Sequence, residues 1–249
     1  MTSRIAAGLA LAAVTAGLGG QAGAEPSTGQ ATERIVIGRS VQKRPLTAVQ
    51  LGDPGGVRVA LVVGVIHGDE RAGLRIVAAI KRRASAEATA LQGTQLWAIQ
   101  TVNPDGLRAH TRKNAHGVDL NRNFPYRWQD DVPHSNGYYP GPRPSSEPET
   151  RAVMAFARRI QPDLSIWYHQ PWGAVLACRG RPPIAAEYAK LVGMPTSCRG
   201  KGLHGTAITW EMHAFPGSSA FVVEMPPGKI SGGSADRQAR AALTVAEGR

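Results

Sequence analysis

Residues 57–70 read VRVALVVGVI-HGDE, from Val57 to Glu70. Val57 to Ile66 is a near-continuous apolar, β-branched run, the pattern of a strand buried on both faces of a parallel sheet. The run delivers His67-Gly68-Asp69-Glu70 just beyond its carboxyl end, where open α/β sheets bind their ligands. A helix is then predicted from Asp69 or Glu70 to Ala84. Ala72, Ile76, Val77 and Ile80 recur on one face, and Lys81, Arg82 and Arg83 suit the negative end of the helix dipole.

The same alternation extends in both directions. Thr94 to Val102 (TQLWAIQTV) reads as a second strand. Residues 103–144 form a long segment rich in Gly, Pro, Asn and Arg, and a loop of that length inside a domain is usually functional. Ser146-Glu147-Pro148-Glu149 opens a helix running to about Ile160, with Ser146 expected as N-cap and Glu149, at the third helical position, as its capping-box partner. Leu164–Tyr168, Ala174–Ala177 and Ala220–Val223 read as strands. Ile184–Val192 and Asp236–Ala246 read as helices, and Ala207–His213 is helical in pattern. Arg34–Ile37 and Leu46–Leu51 read as edge strands or a hairpin. A βαβ order of this kind predicts an α/β fold with a mostly parallel sheet.

The chain has 249 residues, 42% of them hydrophobic and 19% charged. That suits one globular domain and excludes a largely disordered chain. Gly 29 and Pro 18 occur without a period, which excludes a collagen-like chain. The formal net charge of +11 favours anionic surroundings such as nucleic acid, anionic lipid or acidic wall polymer, or else serves solubility alone. Residues 1–24 carry one charge, Arg4, then an Ala/Gly/Leu/Val run ending in Ala22-Gly23-Ala24. This is the pattern of a cleaved export signal, with a membrane anchor as the rival reading. The expectation is a single domain over residues 25–249, without a membrane span once the signal is removed. The mature protein would be a monomer, either periplasmic, extracellular or wall-associated. Cys178 and Cys198 are the two cysteines. In an oxidising compartment they are expected to bridge, contributing about 3 kcal/mol. No basic helix or aromatic-basic interleave supports a nucleic-acid partner.

The chemistry lies at strand ends. His67 and Glu70 are three residues apart, so a tight turn lets an imidazole nitrogen and a carboxylate converge on one ion. Leu164–Tyr168 delivers His169 to the same edge. Two His and one Glu make a three-ligand zinc site of the open, catalytic type, and no HExxH offers the helix-borne alternative. Arg112 and Arg122, the latter beside Asn121, suit capture of a carboxylate. Phe221-Val222-Val223 ends in Glu224, a carboxylate placed to act as general base. Glu211 is the rival for that role.

These residues resemble a family. HGDE, NPDG (103–106), RKN (112–114), GVDLNRNFP (117–125), YYPGPRPSSEPETRA (138–152) and the strands ending in His169 and Glu224 are similar, in order and approximate spacing over residues 57–230, to the zinc carboxypeptidases related to carboxypeptidase A. Within that family the chain most resembles the bacterial murein peptide amidases, which cut the γ-D-glutamyl–diaminopimelate bond. The resemblance implies a mixed, mostly parallel eight-stranded sheet flanked by helices. It implies one zinc per chain, held by His67, Glu70 and His169. It implies that Arg112 polarises the scissile carbonyl, that Asn121 and Arg122 hold the substrate's terminal carboxylate, and that Glu224 is the base and then the acid. The family's mobile pocket Tyr has no counterpart in Lys201–Gly205; His204 stands in that region as a replacement or as a loop histidine.

The expected activity is therefore zinc-dependent hydrolysis of an amide beside a terminal carboxylate, in a peptide or muropeptide substrate. Arg179, Arg181, Arg199 and Lys201 are candidates to meet the distal carboxylate of diaminopimelate, with Glu211 as partner for its ammonium. Other readings are a general carboxypeptidase, an N-acyl amino acid deacylase of the same fold, and a non-catalytic wall-binding domain.

Overall fold

The computed structural model describes residues 33–87, 91–177, 183–200 and 202–248. The expected export signal, Cys178, Arg179, Arg181 and Lys201 lie outside these residues. So does one half of the expected Cys178–Cys198 bridge, while Cys198 itself is exposed.

The chain runs β1 (Glu33–Arg39), β2 (Pro45–Gly52), β3 (Arg58–Val63), α1 (Ala72–Ala86), β4 (Thr94–Ile99), α2 (Pro104–Ala109), a single 3-10 turn (Leu120–Arg122) and α3 (Pro148–Ile160). It continues through β5 (Leu164–His169), β6 (Ala174–Leu176), α4 (Pro183–Val192), β7 (Thr196–Ser197), α5 (Ala207–Ala214), β8 (Ser219–Glu224) and α6 (Gly232–Glu247). The eight strands form one sheet in the order β1-β2-β4-β3-β5-β8-β6-β7. Strands β4, β3, β5 and β8 are mutually parallel. Pairs β1–β2, β2–β4 and β6–β8 are antiparallel. The expected mixed, mostly parallel eight-stranded sheet is what forms.

Strand alternation splits the core into two layers. Ala60, Val62, Ile166, Tyr168, Phe221 and Val223 face one side, against Ile76, Val77 and Ile80 of α1, Tyr188 of α4 and Ala239 and Ala242 of α6. Leu61, Val63, Trp167, Ala220 and Val222 face the other, against Val153 and Phe156 of α3 and Ile208 and Trp210 of α5. Both faces are covered, which is why the central strands read as unbroken apolar runs. Among the described residues no helix is long and apolar enough to cross a membrane.

Three helix starts differ from expectation. Helix α6 begins at Gly232 rather than Asp236, because Ser231 caps it by accepting the Ser234 N–H. Helix α1 begins at Ala72 because residues 67–70 form a tight turn, Glu70 N–H donating to the His67 carbonyl at 3.1 Å. The capping box does not form at α3. Its N-cap is Glu147, with no side-chain cap bond. Glu149 instead turns away to accept the Val41 N–H, and Ser146 donates to Glu147. A tertiary partner has outcompeted the local motif, and the helix starts one residue later than expected, with Pro148 at its first position, where its missing N–H costs no helix bond.

From β3 the chain crosses first to β4 on one side and later to β5 on the other. The carboxyl ends of β3 and β5 therefore frame the crevice where ligands bind in such sheets. β8 lies next to β5, with His169 and Glu224 in register as neighbours.

Candidate active site

Four segments build the site. The turn after β3 carries His67 and Glu70, both buried. His67 Nδ1 and Glu70 Oε1 are 2.8 Å apart. The end of β5 brings His169, whose Nδ1 lies 2.9 Å from Glu70 Oε2. All three ligand atoms lie within 4.8 Å of one another. The end of β8 brings Glu224. The long loop 103–147 brings Arg112, Asn121 and Arg122. All seven residues line one cavity of ≈ 710 Å³, large enough for a few amino-acid residues of substrate.

The NPDG and DLNRNF motifs are hydrogen-bond anchors for that loop. Asn103 caps α2 through the Gly106 N–H and donates to the carbonyls of Ile66 and Arg112, tying the residue before His67 to the arginine. A side chain on Gly68 would strike the Gly106 backbone, so HGDE and NPDG meet glycine to glycine. Asn123 donates to the Pro140 and Arg143 carbonyls and to Ser146, and its side-chain oxygen accepts from Glu147 N–H. Asn121 accepts the Ala207 N–H at 2.9 Å, locking the 3-10 turn to the start of α5.

Asp119 has no role in the sequence reading, although it sits inside a quoted motif. It is fully buried. One carboxylate oxygen lies 3.1 Å from His67 Nε2, and the other accepts from Arg112 at 2.9 and 3.0 Å. A carboxylate on the far nitrogen of His67 holds its proton there and leaves Nδ1 free to ligate, the usual outer partner of a zinc histidine. Nothing in the local pattern announces this. The pair spans 52 positions of sequence, and only the return of the loop unites it. Asp119→Asn is expected to weaken zinc binding about 10–100-fold, read by competition with a chelator.

Two further residues escaped the sequence reading. Tyr138, exposed at the cavity rim, packs its ring against both arginines, 4.9 Å from the Arg112 guanidinium and 5.4 Å from that of Arg122. Gln170 joins three segments at once. Its N–H donates to Glu70 Oε2, its side-chain oxygen accepts from Ala72 N–H, and its amide donates to the Pro226 and Gly228 carbonyls.

The electrostatics suit a metal. Burial alone would raise the Glu70 carboxyl, but the two imidazoles outweigh it and hold the group far below the usual range. Burial is also the largest influence on His169 and lowers it, leaving a neutral ring. A neutral imidazole and an ionised carboxylate are the ligating forms. Burial opposes charge on His67 too, yet Asp119 and Glu70 together raise it. Two imidazole nitrogens and one carboxylate, converging at the rim of an open cavity, fit a catalytic zinc.

Glu224 behaves differently. Burial, then the charge of Glu70, push its carboxyl up to about 7. Its Oε2 is shut off from solvent and has no partner among the described residues. A carboxyl tuned toward neutrality, beside the metal ligands and with a free oxygen, is the pattern of a general base.

Over residues 24–177 the sequence matches the zinc carboxypeptidase family, peptidase M14. The chain belongs to that family. The match includes His67, Glu70 and His169, and family members are zinc-dependent hydrolases. Glu224 lies beyond the matched segment, and the β5–β8 register is what brings it to the site. Murein peptide amidase A of Escherichia coli K12 is 33% identical over 153 residues, covering 57% of this chain and 59% of that protein. The catalytic chain of carboxypeptidase N from Mus musculus is 31% identical over 176 residues, 57% of this chain and 38% of that protein. In structure, murein-tripeptide amidase MpaA of E. coli O157 superposes with a TM-score of 0.68 at 24% identity, covering 88% of this chain and 93% of that one. This is the zinc carboxypeptidase fold.

One sequence expectation is not met. Glu211 does not reach the cavity. It is buried behind it, accepting the Trp167 indole N–H at 3.2 Å, and burial raises its carboxyl to about 7. It faces neither a substrate ammonium nor the reacting centre. Arg199, the described member of the expected basic cluster, stacks over the Trp172 ring at 6.0 Å beside the cavity.

Proposed function

We propose that this protein is an exported zinc peptidase, with one zinc per chain. It hydrolyses an amide next to a terminal carboxylate in peptidoglycan stem peptides, at the γ-D-glutamyl–diaminopimelate bond. The observation that carries the chemistry is the pairing of Glu224 with His169 at adjacent strand ends, across one cavity from Asn121 and Arg122.

Zinc held by His67, Glu70 and His169 supplies Lewis-acid activation of water and of the scissile carbonyl. The chain's own residues do the rest. Arg122 and the amide of Asn121 hold the terminal carboxylate, Arg122 as a charged fork. That contact fixes which bond lies over Glu224. Glu224, ionised, takes a proton from the attacking water and returns it to the leaving amine. Arg112 carries part of the charge that develops on the carbonyl oxygen, and a donor so aimed contributes about 3–4 kcal/mol. Asp119 and Glu70 hold the Arg112 guanidinium in place from behind.

Three things support the muropeptide substrate. The murein amidase relatives are among those most similar in sequence. Residues 1–24 read as an export signal, and beyond it lies the wall. The net charge of +11, less the one charge of Arg4 that leaves with the signal, draws the protein to an anionic matrix, the more so at low salt. The similarity to the carboxypeptidase N chains favours a second reading, a general carboxypeptidase. Defined substrates separate the two. A γ-D-glutamyl–diaminopimelate tripeptide is expected to be cleaved at least about tenfold better, as kcat/KM, than ordinary peptides ending in Phe, Leu, Lys or Arg. The opposite order moves the substrate to ordinary peptide C-termini and leaves the zinc site as it stands.

A further inference from the structure

Few buried side-chain atoms among the described residues lack a hydrogen-bond partner, and two of the residues that carry them line the catalytic cavity: Glu224, through Oε2, and His204, through Nδ1. Native proteins rarely leave such an atom unpaired, because desolvating it without a partner costs about 1–3 kcal/mol. Glu224 is explained by its role toward water. His204 has no such explanation within the protein.

The residues that follow His204 pack against the Asn121–Phe124 turn. Gly205 has φ +59, and a side chain there would strike the Arg122 carbonyl. The Phe124 N–H donates to the Gly205 carbonyl at 3.0 Å. Two residues on, the Ala207 N–H is held by Asn121. The backbone next to His204 is therefore held against the Asn121–Arg122 turn, and His204 itself lines the cavity. The same cavity has an apolar share of its lining, from Leu176, Leu203, Ile208 and Val222. Two threonine hydroxyls join that lining, but they satisfy each other. Thr206 and Thr209 hydroxyls lie 2.8 Å apart, and Thr209 also donates to the Thr206 carbonyl. With Glu224 assigned to the reacting water, His204 Nδ1 is the unpaired buried atom left over among the described cavity residues.

We infer that His204 is a specificity-determining residue. It hydrogen-bonds a polar head on the side chain of the substrate's terminal residue, while the apolar wall takes that side chain's methylene stem. An imidazole nitrogen accepts or donates according to its tautomer, so it can meet a carboxylate, an ammonium or an amide. This rests on the muropeptide reading, in which the head is the distal end of diaminopimelate.

The test is a ratio of ratios. One substrate is the γ-D-glutamyl–diaminopimelate tripeptide. The other ends in 2-aminoheptanoate, the same carbon chain without the distal ammonium and carboxylate. His204→Leu is expected to lower kcat/KM for the first about tenfold more than for the second. His204→Asn, which keeps a polar group near the same place, should restore most of the difference. The same ratio should appear in the affinities of the two substrates for Glu224→Gln protein, where turnover does not intervene. An equal effect of His204→Leu on both substrates overturns the inference. If the wild type prefers ordinary peptides, the muropeptide reading fails instead. His204 is then judged on peptides ending in Gln and in norleucine, with the same expected loss for Gln alone and the same overturning result.

Discussion

Glu224→Gln is expected to lower kcat by about 10²–10⁴-fold, the usual contribution of a general base, while the protein keeps its zinc. Glu224 lies outside the ligand set of His67, Glu70 and His169. The amide is nearly the same size and cannot take a proton. Metal content and chelator competition should match the wild type. The pH profile carries a second signature. The working form of Glu224 is ionised, and burial followed by the Glu70 charge raises its pKa to about 7. The wild-type rate should therefore fall as pH drops through that pKa. The positive charge of bound zinc pulls in the opposite direction, so the acid limb should lie below 7. In Glu224→Gln that limb should vanish. Glu211→Gln is the control. Its carboxyl is buried against Trp167 behind the cavity, so the variant should turn over normally. If Glu211→Gln loses turnover and Glu224→Gln does not, the assignment of the base is reversed.

His67→Ala and His169→Ala should each release the metal. Either variant leaves two ligands of three, too few to hold zinc in an open site. The expected loss of affinity exceeds the roughly 100-fold that follows loss of an outer partner such as Asp119. Dialysed protein should then contain little zinc and show no hydrolysis. The wild type should bind about one zinc per chain and lose activity to a chelator. Zinc binding should also weaken below about pH 6, where imidazole protonates and its ligand lone pair is lost. Full activity of metal-free wild type would refute the zinc chemistry altogether.

The elements that read clearly from sequence are those whose physics is local. Val57–Ile66, Leu164–Tyr168 and Ala220–Val223 are apolar on both sides because helices cover both faces, and such runs have little freedom to be anything but central strands. Their ends carry His67, His169 and Glu224, so the zinc ligands and the base could be read off strand boundaries. The parallel order followed from the strand–helix alternation. The eight-strand count and the separate roles of Arg112, Asn121 and Arg122 came from resemblance to a family, since two arginines in a loop suit a carboxylate without saying which group each one meets.

Other features depended on distant segments meeting. Ser146 and Glu149 form a sound capping box by local rules. The box is not made, because Val41 and Asn114 offer Glu149 partners that exist only once the loop has folded back. Asp119 became the partner of His67 through the same return of the loop. Glu211 reads as a plausible acid on a helix. Its position in α5 turns it inward to Trp167 and away from the substrate. His204 shows the limit most plainly. In sequence it is one histidine between two glycines, equally suited to any surface loop. That its Nδ1 is buried and unpaired beside the cavity appears only in the folded loop. Periodicity and strand-end position act over a few residues and survive in one dimension. Whether a buried polar atom is satisfied depends on every neighbour that folding brings within about 3 Å, and those neighbours are set by the tertiary structure.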